Sequence, residues 1–192
     1  RRETKWKRKY ELAEEVLSLA YEVKENINMI RSDFSSINEG KTRKRSEKET
    51  KEESEIRDSA FITIERARSV DESFKKLQSI KFRFVAVFNQ PDSSLIDNLI
   101  KVRNKLTFTA HRLADARVLL ARSNYLSKEH QKRIEKFEKI IWSDYEKEDE
   151  ITKEVNKAVE GLEDICKVVI RESAYQNIKP ICSAPCIKVS SK

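Results

Sequence analysis

Turn formers are scarce in this sequence, with two Gly and three Pro in 192 residues. A chain so poor in breakers has few turns, so its elements must be long. Long apolar runs are missing as well. The longest, Phe84 to Phe88, falls far short of the ~20 residues that span a bilayer, and no signal-peptide pattern opens the chain. Three cysteines, an odd number, make no disulfide framework, and a reducing compartment is the simplest reading. What is present is 38% charged and 38% hydrophobic residues, with the apolar ones at helical period. That combination predicts an all-α protein of one domain, built from amphipathic helices, and not a disordered chain.

About four long helices are expected, near residues 3–31, 50–89, 94–122 and 127–177, with a polar loop over 32–50. Tyr10, Ala13, Leu17, Ala20, Ile27 and Ile30 stripe the first helix. Between Ile37 and Ile56 no apolar residue occurs, so the loop is read as open to proteases and free in solution. The second stripe runs from Ile56 to Phe88. Lys81-Phe82-Arg83-Phe84 alternates like a strand, but no other segment could pair with it, and a helix is retained. Pro91 and Asp92 supply a stop and a new start. Leu95, Leu99, Val102, Leu106 and Leu113 mark the third helix, and Ser127 is placed to cap the fourth. That last helix would reach ~75 Å at 1.5 Å per residue, so a kink or break is expected between Ser143 and Glu150. Residues 1–178 form the domain, and Pro180 and Pro185 make 179–192 a tail.

Charge is unevenly laid out. Between Asp144 and Asp164 stand nine acids against three lysines, within a chain of net charge +7. Two basic clusters oppose them: Arg1, Arg2, Lys5, Lys7, Arg8 and Lys9, and then Lys41, Arg43, Lys44 and Arg45. Such clusters serve nucleic acid, anionic lipid, or the protein's own acids. An up-down-up-down bundle would lay the acidic stretch near the start of the first helix and satisfy part of the basic cluster internally. Trp6 and Tyr10 among those cations also match a cytoplasmic membrane flank, where Lys and Arg stay inside and aromatics sit at the headgroups. The sequence opens on Arg1 and not on Met, and an anchoring segment ahead of it is expected.

Few motifs carry chemistry. Glu39-Gly40-Lys41-Thr42 holds the last letters of a phosphate-binding loop, but Ser stands at position 35, where a glycine is required. His111 and Asp115, four apart, make at most two ligands, so no metal and no cofactor is expected. Cys182 and Cys186 could form a small disulfide or accept lipid, against the simpler reading of a plain tail. Arg103-Asn104 followed by His111 is similar to the signature of the HEPN ribonucleases, an all-helical superfamily. That resemblance implies Arg103 as phosphate binder, Asn104 as support and His111 as acid–base group, with RNA as substrate. Seven residues separate Arg103 from His111, where the family has four to six.

A second resemblance covers much of the first two helices. Glu11-Leu12-Ala13-Glu14-Glu15-Val16-Leu17 with Tyr21, followed by Glu39-Gly40-Lys41-Thr42-Arg43-Lys44, resembles a group of uncharacterised bacterial helical proteins with one N-terminal membrane span. It implies a membrane anchor and no activity. The expectation is therefore a non-enzymatic protein–protein interaction module, tethered on the cytoplasmic side of the inner membrane. Its partner would be another protein or a second copy docked on the long last helix, with an anionic membrane surface beside it. The alternative is RNA binding or cleavage through Arg103 and His111.

Overall fold

A computed structural model describes residues 2–89, 93–123, 127–143 and 148–177. Pro91, Asp92, Asp144–Lys147 and the tail with Cys182 and Cys186 lie outside the described residues. Six helices pack together: α1 (Arg2–Ile30), α2 (Lys51–Ser69), α3 (Asp71–Phe88), α4 (Ser94–Ser123), α5 (Lys128–Ile141) and α6 (Glu150–Asn177). No strand occurs among the described residues, and Lys81 to Phe84 lie inside α3. None of these helices is long and apolar enough to cross a membrane.

The expected helix over 50–89 is two helices, broken at Val70. The Ser69 hydroxyl donates to the Arg66 carbonyl, and the Ser73 hydroxyl and N–H both donate to that of Val70, so local side chains compete with the backbone ladder on both sides of the break. Asp71 and Glu72 then favour a new N-terminus. The spacing of Ala67 and Phe74 hides this break, because seven residues preserve a helical face. The last helix is interrupted where charge replaces its stripe. α5 ends at Ile141 and α6 starts at Glu150, with Asp149 accepting the Thr152 N–H at 2.9 Å as its cap. Thr50 and Ser127 cap α2 and α5 in the same manner.

Two apolar clusters lie along α4. The larger joins α1, α3, α6 and the first half of α4, through Val16, Leu77, Phe84, Leu99, Leu106 and Leu162. A smaller one joins α2, α5 and the second half of α4 through Phe61, Ile64, Leu113 and Ile141. Directions follow from cross-helix contacts. Asn26 meets Ser73 and Glu15 meets Arg83, so α1 and α3 are antiparallel. Arg122 reaches Glu53 while Arg57 reaches Asp115, which opposes α2 and α4. Lys105 meets Glu154 across α4 and α6.

α1 and α6 also oppose each other, with Arg31 at Asp149 and Tyr21 at Glu163, the latter 2.5 Å apart. This register corrects the expected placement of charge. The described part of the acidic stretch, residues 148–164, lies beside the second half of α1, and the first turns of α1 lie level with the far end of α6. The reason is length: α6 starts opposite the last residue of α1 and runs back along it.

Arg31 holds that junction. Its side chain is 2% exposed and spends every donor. Two bonds go to Asp149 (2.8 and 3.0 Å), one to the Thr152 hydroxyl (3.3 Å), and three to the carbonyls of Lys139, Ile140 and Trp142. Those carbonyls are the orphan acceptors at the end of α5, where a cation also meets the negative end of the helix dipole. The Arg31 carbonyl in turn accepts the Ser143 N–H at 3.1 Å. Removing one partner of a buried pair typically costs 3–5 kcal/mol. Arg31→Met should therefore lower the unfolding free energy by about 3 kcal/mol in urea denaturation. A loss below about 1 kcal/mol, the value of an exposed pair, would show that the guanidinium is not the clamp described here.

Candidate functional site

The loop between α1 and α2 was expected to be free, and it is docked. Its anchor is Arg66 of α2, buried at 8% side-chain exposure. The guanidinium donates to the carbonyls of Met29 (3.3 Å), Ser32 (2.6 Å) and Phe34, and to both carboxylate oxygens of Glu39 at 2.8 and 2.9 Å. It thereby closes the end of α1 with the same device that Arg31 applies to α5. Hydrogen bonding from Arg66 holds the Glu39 carboxyl below its ordinary value.

Gly40 follows, with φ +81°. A Cβ there would stand 2.2 Å from the Asp58 carbonyl oxygen, so only glycine lets the loop lie against α2. Its N–H donates to Glu65 at 2.7 Å, and the Thr42 hydroxyl donates to the same carboxylate at 2.6 Å. The Glu39-Gly40-Lys41-Thr42 run is thus bound to a carboxylate of its own chain. That bond replaces the phosphate contact its letters suggest.

The loop cations divide in two. Arg43 bridges Glu49 (2.6 Å) and Asp58 (2.9 Å), and Arg45 reaches Asp58 at 2.5 Å. Lys41 and Lys44 are exposed. Beside this strap a cavity of about 560 Å³ is lined by both signs of charge, Lys41, Arg45 and Lys51 with Glu39, Glu55 and Asp58.

At the other end of α1, Lys5, Lys7 and Arg8 are exposed. Lys7 stands 4.0 Å from Glu11. Lys9 lies over the Phe88 ring at 5.2 Å, a cation–π contact that joins α1 to the end of α3. Trp6 and Tyr10 stack with centroids 5.8 Å apart. Arg1 is outside the described residues, and the side chain of Arg2 is not described.

Arg103 is half-buried between α3 and α4, paired with Asp71 and set over the Phe74 ring at 5.5 Å. Its neighbour Asn104 is exposed and accepts from it at 3.4 Å. His111 is exposed and stands eight residues along α4, about 12 Å of helical rise from Arg103. These two residues do not converge on a common cleft. Asp115 is taken by Arg57. No group of three His, Cys, Asp or Glu side chains able to hold a metal occurs among the described residues. Burial pushes the Cys166 thiol up to about 12, which leaves it a core residue and not a nucleophile.

No protein-family model, curated protein or solved structure matches this chain.

Sequence reasoning missed Arg31, Arg66 and Asp58. Arg66 is the one with a visible signal. It sits inside the apolar stripe of α2, four residues after Ile62, and a cation on a buried stripe implies a set of acceptors nearby.

The strap should respond to acid. Arg43 holds the Glu49 carboxyl down from its ordinary 4.5 to about 2. A carboxylate with a lowered folded-state value contributes fully above its ordinary value and loses that contribution as pH falls toward the lowered one. The Gly40 and Thr42 amide resonances should therefore hold steady above about pH 5 and move toward loop-like positions between about 4.5 and 2. In Glu49→Gln they should already be displaced at neutral pH. Resonances of the wild type that stay fixed down to about pH 2 would contradict the role given to Glu49.

Proposed function

We propose that the chain is a non-enzymatic helical module for protein–protein contact, positioned at the cytoplasmic surface of an anionic membrane by the first turns of α1. The four long rods, α1, α2 with α3, α4, and α5 with α6, are read as an up-down-up-down bundle that serves as its platform. The observation that carries this reading is the position of the acids. Asp149 is engaged by Arg31, Glu154 by Lys105, and Glu163 by Tyr21 and Lys167. These contacts are made away from the basic start of α1. Lys5 and Arg8 are exposed and make no ion pair among the described residues, and the Trp6–Tyr10 stack stands beside them in sequence. Cations with an adjacent aromatic pair suit the headgroup region of an anionic leaflet.

Each cation near such a surface contributes about 1 kcal/mol. The purified chain should bind phosphatidylserine vesicles weakly, release them as salt passes ~0.5 M, and ignore neutral vesicles. Replacing Arg1, Arg2, Lys5, Lys7, Arg8 and Lys9 by Gln should abolish binding while the circular dichroism spectrum keeps its helical form. Absence of vesicle binding by the wild type at low salt would refute the membrane-surface reading.

A further inference from the structure

α4 lines both apolar clusters with its inner side, yet one stripe along its outer side stays open. Phe108 and Leu119 on that stripe are 64% and 52% exposed. Exposed apolar residues are ordinary one at a time, and α1 and α3 also carry two each, Tyr21 with Met29 and Phe82 with Val87. Helix geometry separates the three cases. At 3.6 residues per turn, the α1 pair is turned apart by about 80° and the α3 pair by about 140°. Leu119 returns to within about 20° of Phe108, three turns further along. Of these helices, only α4 sets its two large exposed apolar side chains on one line.

Arg112 and Asp115 stand between them, both exposed. Phe108, Arg112, Asp115 and Leu119 follow at steps of four, three and four, the spacing of a helix–helix seam. All four lie on one helix, so the fold fixes their order and spacing. Read from its N-terminal end the stripe is apolar, cation, acid, apolar. An antiparallel partner must therefore offer apolar, acid, cation, apolar, which is α4 read in reverse. With a twofold axis between residues 113 and 114, Phe108 faces Leu119 of the second copy and Arg112 faces its Asp115, each contact made twice.

The groups involved are free to make these contacts. Arg112 has no ion pair among the described residues and rests over its own Phe108 ring at 5.4 Å. Asp115 gives Oδ1 to Arg57 at 3.0 Å, and its Oδ2 has no donor among the described residues. One layer further out, the same axis sets Lys105 against Arg122 of the other copy. Those two cations are already paired with Glu154 and Glu53 of their own chain, so the ends of the seam carry no uncompensated charge.

We propose that α4 is the contact of an isologous dimer, packed antiparallel against α4 of a second copy through Phe108, Arg112, Asp115 and Leu119. This assignment rests on the reading of the chain as a protein–protein contact module and gives that module its partner. Two apolar layers and two ion pairs along about 17 Å of helix make a contact of the weak, reversible class.

Sedimentation velocity of the full chain over rising concentration tests it. A reversible monomer–dimer equilibrium is expected, weakened at least about tenfold by Phe108→Ser with Leu119→Ser. All substituted side chains are exposed, and unchanged circular dichroism serves as the folding control. Arg112→Glu alone and Asp115→Arg alone should each weaken self-association, because each sets like charges face to face twice. Both substitutions on one chain should restore the dimer, and so should an equimolar mixture of the two single variants. A wild type that stays monomeric throughout, a dimer indifferent to Phe108 and Leu119, or a doubly substituted chain that fails to recover would each overturn the proposal. Vesicle binding is measured separately, so loss of the dimer with vesicle binding intact leaves the membrane-surface reading standing, and the reverse outcome leaves the dimer.

Discussion

Two buried guanidiniums organise the architecture. Arginine has five N–H donors and no acceptor, so its burial is tolerated only where carbonyls and carboxylates surround it. A helix C-terminus supplies several orphan carbonyls in one place. Arg66 takes the end of α1 together with Glu39, and Arg31 takes the end of α5 together with Asp149. Because Arg31 directly follows α1, the two clamps act in series. α2 fixes where α1 ends, and the residue after that end fixes where α5 stops and α6 begins. Each solves a desolvation problem and a capping problem with the same group.

The consequence for the surface is a division of labour among charges. Cations at Arg31, Arg43 and Arg66 are bound to acids of the same chain and build the fold. Cations at Lys5, Arg8, Lys41 and Lys44 are left to solvent. Arg and Lys are not interchangeable here, since the forked guanidinium reaches several acceptors at once whereas the ammonium is a point charge on a flexible stem. All three of the arginines that build the fold use that fork. The exposed set is mostly lysine, whose ammonium stays hydrated on its flexible stem.

Much of the helical content was legible in the sequence, because an apolar stripe at helical period is a local signal read from spacing alone. Ile27 and Ile30, Leu99 and Leu106, and Val155 and Leu162 all fall in the core as their spacing requires. The break at Val70 was not legible, since the stripe continues in phase across it and only Ser69, Asp71 and Ser73 hint at a restart. The docking of the loop was less legible still. It depends on ion pairs between residues thirteen to twenty-seven positions apart, and such pairs have no period. A polar segment that folds by salt bridges looks the same in composition as one that stays in water. Among the candidate site residues, the exposure of Lys5 and Arg8 and the engaged state of Arg103 were both decided by the register between helices, which no single helix encodes.

Amide hydrogen exchange at neutral pH tests the clamped loop most directly. Gly40 donates to Glu65 beneath the strap, in a segment with no regular secondary structure of its own. If Arg66, Glu39 and Asp58 hold the loop as described, the Gly40 amide exchanges at least about a hundredfold more slowly than in an unstructured peptide, which corresponds to a local opening free energy of ~2.7 kcal/mol or more. Exchange at the unstructured rate, with the flanking helices still protected, would mean that the loop is free in solution and is not held by Arg66, Glu39 and Asp58.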